Sequence, residues 1–172
     1  MGARTSGRQA ALQMLFALDS AEQSADRAIA DFWRQFPGDA EGRAYADDLL
    51  RQLFPALQSL DKMIEEVSNN WRLERMTPVD RNILRLGAFE LSQRPDVPTP
   101  VIIDEAVELA KLYGTDNSSS FVNGVLDNLA RKYRQSSLGN TTSIEPAEDS
   151  VPPEAEGSPL PEETTGQGKT IE

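Results

Sequence analysis

RMTPVDRNILRLGAFELSQRPDVPTPVIIDEAVELAKLYGTDNSSSFVNGVLDNLARKYR, residues 75–134, is the most informative stretch for the fold because residues that start or stop helices are densest in it. Thr77, Pro78 and Asp80 supply an N-cap, a proline at the first helical position and an acid in the first turn, the grammar of a helix start. That helix runs to about Gln93, carrying Ile83, Leu84, Leu86, Gly87, Phe89, Glu90 and Leu91. Pro95, Pro98 and Pro100 then force an extended connection, and Thr99-Pro100 opens a second helix by the same logic. The second helix ends at Gly114, where a left-handed C-terminal residue is expected. A third begins near Asn117 or Ser118 and continues through Phe121, Val122, Val125, Leu126, Leu129 and Tyr133. Gly124 lies inside it at a cost of about 1 kcal/mol relative to Ala, which predicts a close helix crossing there as compensation.

Working back toward the N-terminus, the helical period continues. Ala10, Ala11, Met14, Leu15 and Leu18 recur at three- and four-residue spacing, with Ser6 as N-cap, and predict a helix over 6–19. Ile29, Phe32, Trp33 and Phe36 form one face of a helix over 24–36, stopped by Pro37-Gly38, and their bulk predicts core. From Asp39 to about Asn69 the period persists over many turns, and Pro55 must kink or divide it. Residues 70–76 read as a connection, and no strand-like alternation of useful length occurs. The fold class is therefore all-α.

The composition changes at the end of this region. Residues 136–172 hold five Pro, four Gly, ten Ser or Thr and no aromatic, too little apolar surface to offset the entropy of ordering. We read a helical domain over 1–135 and a disordered acidic tail over 136–172. The tail also explains the charge. The chain carries 17 Lys plus Arg against 28 Asp plus Glu, net −11, but residues 1–135 account for only −4 and the tail for −7.

Cys and His are both absent, which excludes a Cys/His metal site, a thiol nucleophile and a His-based triad. The paired carboxylates Asp47-Asp48, Glu65-Glu66 and Asp104-Glu105 are sequence neighbours that do not share a helix face. No phosphate loop or dinucleotide fingerprint is present. No cofactor, metal or catalytic residue is expected. No apolar run approaches the roughly 18 to 20 residues that span a bilayer, and the start lacks a secretory core, so the expected location is cytoplasmic, with no membrane partner.

Two segments can bind something. Arg4 and Arg8 precede any acid, and with Gln13 and Phe16 they offer phosphate contacts and a stacking ring. Asn117, Ser118, Ser120 and Phe121 offer helix-start amides, hydroxyls and a second ring. On the residues alone, amphipathic packing and N-capping explain much of both.

These blocks resemble the NusB family of bacterial antitermination and ribosomal RNA biogenesis factors. The resemblance is carried by RQAALQMLF at 8–16, DRNILRL and FEL within 80–91, DEAVELAKLYG at 104–114 and FVNGVLDNLAR at 121–131, and it spans roughly 4–134. It implies a NusB-like fold of two small helical bundles, three helices followed by four, without enzymatic activity. It implies a transcription antitermination factor that binds boxA RNA together with ribosomal protein NusE, in an RNA polymerase antitermination complex that supports ribosomal RNA transcription. The RNA-binding positions it implies are Arg4, Arg8, Gln13, Phe16, Asn117, Ser118, Ser120 and Phe121, and the NusE-facing positions are Asp80, Arg81 and Arg85. Thr5, Ser6 and Ser120 stand where basic residues are usual in the family, which thins the positive surface. Two other readings stay open: a protein-only helical adaptor, and a targeting module acting in trans on ribosomal RNA modification. Related proteins occur as monomers and as dimers that hide the RNA face, so a homodimer also stays open.

Overall fold

A computed structural model of the chain describes residues 2–69 and 71–134. Seven α-helices occupy them: α1 (Ala3–Ser20), α2 (Ala25–Gln35), α3 (Ala40–Leu53), α4 (Leu57–Val67), α5 (Pro78–Gln93), α6 (Thr99–Tyr113) and α7 (Ser118–Leu129). No strand occurs among the described residues. The acidic tail, and the boundary expected at 135/136, lie outside them.

The helix starts follow local chemistry. Thr77 caps α5 by accepting the Asp80 N–H at 3.1 Å, Ser24 caps α2 through Arg27, and Asp39 caps α3 through Gly42. Pro55 divides the long 39–69 run as its chemistry requires, in a short 3-10 turn over Phe54–Ala56. The first helix differs from the reading at its start. It begins three residues earlier, at Ala3, and Ser6 is not its cap but an interior residue whose hydroxyl donates to the Ala3 carbonyl and to Asp39.

α1, α2 and α3 pack together, and α4 to α7 form the second group, with α5 touching both α1 and the helices of its own group. α5 is buried nearly all round, since Ile83, Leu84, Leu86, Gly87, Ala88, Phe89 and Leu91 point to several neighbours. Its polar residues Asp80, Asn82 and Glu90 are buried with them, so α5 has helices packed on more than one side. Close crossings use glycine where a Cβ has no room. A Cβ at Gly7 would stand 2.9 Å from the Gly42 carbonyl, and one at Gly87 would stand 2.7 Å from the side chain of Leu126, which is fully buried.

The crossing predicted at Gly124 is absent, because a Cβ there would meet nothing within 4 Å. The close approach of α5 and α7 is made instead by Gly87 against Leu126. Gly114 is likewise not left-handed: its φ is −92° and ψ −165°. Glycine is favoured there by space, since a Cβ would lie 2.5 Å from Ser118.

Candidate nucleic-acid interface

The residues expected to contact RNA separate into an internal set and an external set. Arg8 belongs to the internal set and corrects the reading of the N-terminal arm. Its side chain is 3% exposed, its Nε and Nη2 donate to both carboxylate oxygens of Glu90 at 2.8–3.1 Å, and its Nη1 lies 3.6 Å from Glu105. The Tyr45 hydroxyl donates to the same Glu90 at 2.6 Å, and the Thr5 hydroxyl donates to Glu105 at 2.9 Å. Burial opposes the charge of Arg8, but the hydrogen bonds and charge of Glu90 more than offset it and hold the guanidinium protonated. Burial, joined by its bond to Glu90, pushes the Tyr45 phenol well above its ordinary range. A guanidinium so engaged has no face left for a phosphate.

Ser118 is internal too. It is 1% exposed, and its hydroxyl accepts the Thr115 N–H at 2.9 Å, so it closes the turn into α7. Asp80 is 7% exposed and sits in the first turn of α5, with Oδ1 buried and without a hydrogen-bond partner. Arg81 and Arg85, expected to face a protein partner, are drawn inward by acids from other helices. Arg85 forks onto Asp61 of α4 at 2.7 and 2.8 Å and reaches Asp19 of α1, which also takes Arg81 and Asn82. Burial works against the Arg85 charge, and Asp61 and Asp19 outweigh it. Arg81 and Arg85, through Asp19 and Asp61, tie α1, α4 and α5 together. The protein-contact role expected of them would require that network to be shared.

The external set is different in kind. Arg4 is more than half exposed, with only a long 3.7 Å ion pair to Asp96 and the Tyr45 ring at 5.6 Å. Gln13 and Phe16 lie on the outer face of α1, and the Gln13 amide reaches the Tyr113 hydroxyl at 3.4 Å. With Leu12, Phe32, Phe36 and Tyr113 they line a groove of about 580 Å³. Phe36 corrects the expectation of core for its helix face, being 53% exposed.

At the start of α7, Asn117 and Ser120 are exposed and Phe121 is half-buried. Phe121 meets the edge of Trp71 at 5.7 Å between ring centroids. Trp71, 56% exposed, escaped the sequence reading because it stands in a connection without periodicity. Three adjoining grooves meet at it, of about 460 to 480 Å³ each, and they bring in Arg72, Arg75 and Arg131. All three arginines are exposed. Two aromatic rings, unspent arginines and first-turn amides without partners inside the helix form a surface on which unstacked bases and phosphates can be held. The one available signal was the WR pair at 71–72 just ahead of the Thr77-Pro78 helix start.

An all-helical protein with an aromatic, arginine-bearing face at a helix start is the class that fold and surface define together. The NusB family profile matches residues 5–131, and the chain belongs to the NusB family. It is 60% identical over 130 residues to the transcription antitermination protein NusB of Sorangium cellulosum, covering 76% of this chain and 93% of that one. The corresponding protein of Myxococcus xanthus is 46% identical over 134 residues, with 76% and 96% covered. Among solved structures, T. maritima NusB superposes with a TM-score of 0.69 at 34% identity, covering 76% of this chain and 92% of that one. A complex of antitermination factors NusB and NusE with dsRNA matches at a TM-score of 0.67 and 25% identity, covering 77% and 99%. Among the described residues, no helix is long and apolar enough to cross a membrane.

Proposed function

We propose that this chain is a cytoplasmic, noncatalytic transcription antitermination factor that binds boxA RNA together with ribosomal protein NusE, within an RNA polymerase complex transcribing ribosomal RNA. The observation that carries the reading is the pairing of exposed Trp71 with half-buried Phe121 of α7, flanked by Arg72, Arg75 and Arg131, in a member of a family that includes a NusB–NusE–dsRNA complex. On that surface bases stack on the rings, while the arginines and helix-start amides take phosphates. Asn117, Ser120 and Phe121 belong to this face, and Arg4, Gln13 and Phe16 extend it along α1. Few free cations are present, so RNA affinity alone is low and strongly dependent on NusE.

Titration of a labelled boxA RNA with the full chain, with and without NusE, tests this. Binding tightens with NusE and exceeds that of a scrambled RNA. Equal binding of both RNAs in both conditions would sink the sequence-specific reading. The internal pairing of Arg8, Arg81 and Arg85 favours one rival, a protein-only adaptor, which predicts NusE binding with no RNA binding at all.

A further inference from the structure

The buried charge cluster at Arg8 joins four helices at one point. Arg8 comes from α1, Tyr45 from α3, Glu90 from α5 and Glu105 from α6. Glu90 is 1% exposed and Arg8 2%. A buried ion pair of this sort is a weak source of net stability, since apolar residues of equal volume do as well. What it supplies is direction: the planar fork fits a carboxylate in one orientation only. One placement of α1 along α5 satisfies it.

That placement governs the outer face of α1. Phe16 lies eight residues beyond Arg8, about 12 Å along the helix at 1.5 Å per residue. Between them Gln13 touches Tyr113, the last residue of α6, immediately before the turn that leads into α7. Moving α1 along α5 therefore moves Phe16 against Tyr113 and the α7 start.

We propose that Arg8 is a positioning residue for RNA binding: through its fork onto Glu90 it sets the register of α1, and so holds Phe16 in line with the α7 face, without touching RNA. The inference rests on the RNA-binding reading above. A phosphate contact and a register lock predict opposite results. Replacing Arg8 by Lys keeps the charge and loses the fork. Replacing Glu90 by Gln removes an acid and frees Arg8, which strengthens binding if Arg8 is a phosphate ligand.

The experiment measures the affinity of the full chain plus NusE for a short single-stranded boxA RNA across a salt series, for wild type, Arg4→Ala, Arg8→Lys and Glu90→Gln. Far-UV circular dichroism reports the folded fraction of each. Arg4→Ala lowers the salt slope by about 0.7, one phosphate contact on a single strand. Arg8→Lys and Glu90→Gln each weaken binding roughly tenfold, at an unchanged slope, with NusE affinity within about twofold of wild type. Tighter binding by Glu90→Gln, or unchanged binding by Arg8→Lys, overturns the lock. So does a loss that only tracks loss of helical signal, which is a stability role alone. Failure of wild type to bind the RNA removes the RNA-binding reading and the lock with it, whereas the variant results bear on the lock alone.

Discussion

The first half of α1 and the start of α7 both bring polar side chains and a nearby aromatic to one end of a helix, yet the fold uses them in opposite ways. At α1 the arginine is turned inward onto Glu90, 82 residues away, and is sealed by Tyr45 and Glu105. At α7 the buried polar residue is only Ser118, which closes its own turn, and the aromatic stays out beside Trp71. A cation at a helix start thus says nothing about where its charge is spent until the acids of other helices are placed. In the RNA-binding reading proposed above, recognition is built around rings, with arginines from a connection and from the last described helical turn.

Single substitutions can break this contrast. Arg8→Ala leaves Glu90 buried without its partner and is expected to cost about 3–5 kcal/mol of stability, read as a large fall in the denaturation midpoint. Trp71→Ala, at an exposed ring, is expected to change stability by no more than about 0.5 kcal/mol and to cost about 1–3 kcal/mol of RNA binding. Equal effects on stability from the two would erase the distinction between an inner lock and an outer face.

The two glycines of the second helix group sharpen it further. Gly87→Ala drives a methyl into the buried Leu126 side chain and is expected to destabilise by about 1–3 kcal/mol. Gly124→Ala enters open space on an exposed helix position and is expected to stabilise by up to about 1 kcal/mol. Thermal melts of both variants check the opposite signs. Thr77→Ala removes the α5 cap and is expected to cost about 1 kcal/mol, seen by denaturant titration.

The helices were legible because their determinants are local. Thr77, Pro78, Pro55 and Pro100 act within one turn of themselves, and each does what its chemistry dictates. The site was legible only in part. Phe16, Gln13, Asn117 and Ser120 stand on the surface and Phe121 half so, as their positions on helix faces suggest, while the burial of Arg8 and the pairing of Arg85 depend on Glu90 and Asp61 from other helices. Nothing near Arg8 in the sequence announces Glu90. Trp71 was missed for the converse reason, since in a seven-residue connection no period says whether a ring faces in or out. Gly124 misled because a helix-interior glycine implies a crossing only when its face is turned to a neighbour, and this one is turned to solvent.

RNA held on the Trp71–Phe121 face, as proposed, must change the surroundings of the Trp71 ring. The chain has two tryptophans, Trp33 and Trp71, so a Trp33→Phe variant makes Trp71 the sole reporter. Its fluorescence should be quenched saturably by boxA RNA in the presence of NusE, with the same midpoint as the anisotropy of the labelled RNA. RNA binding that saturates by anisotropy while the Trp71 signal stays unchanged would place the RNA elsewhere on the protein.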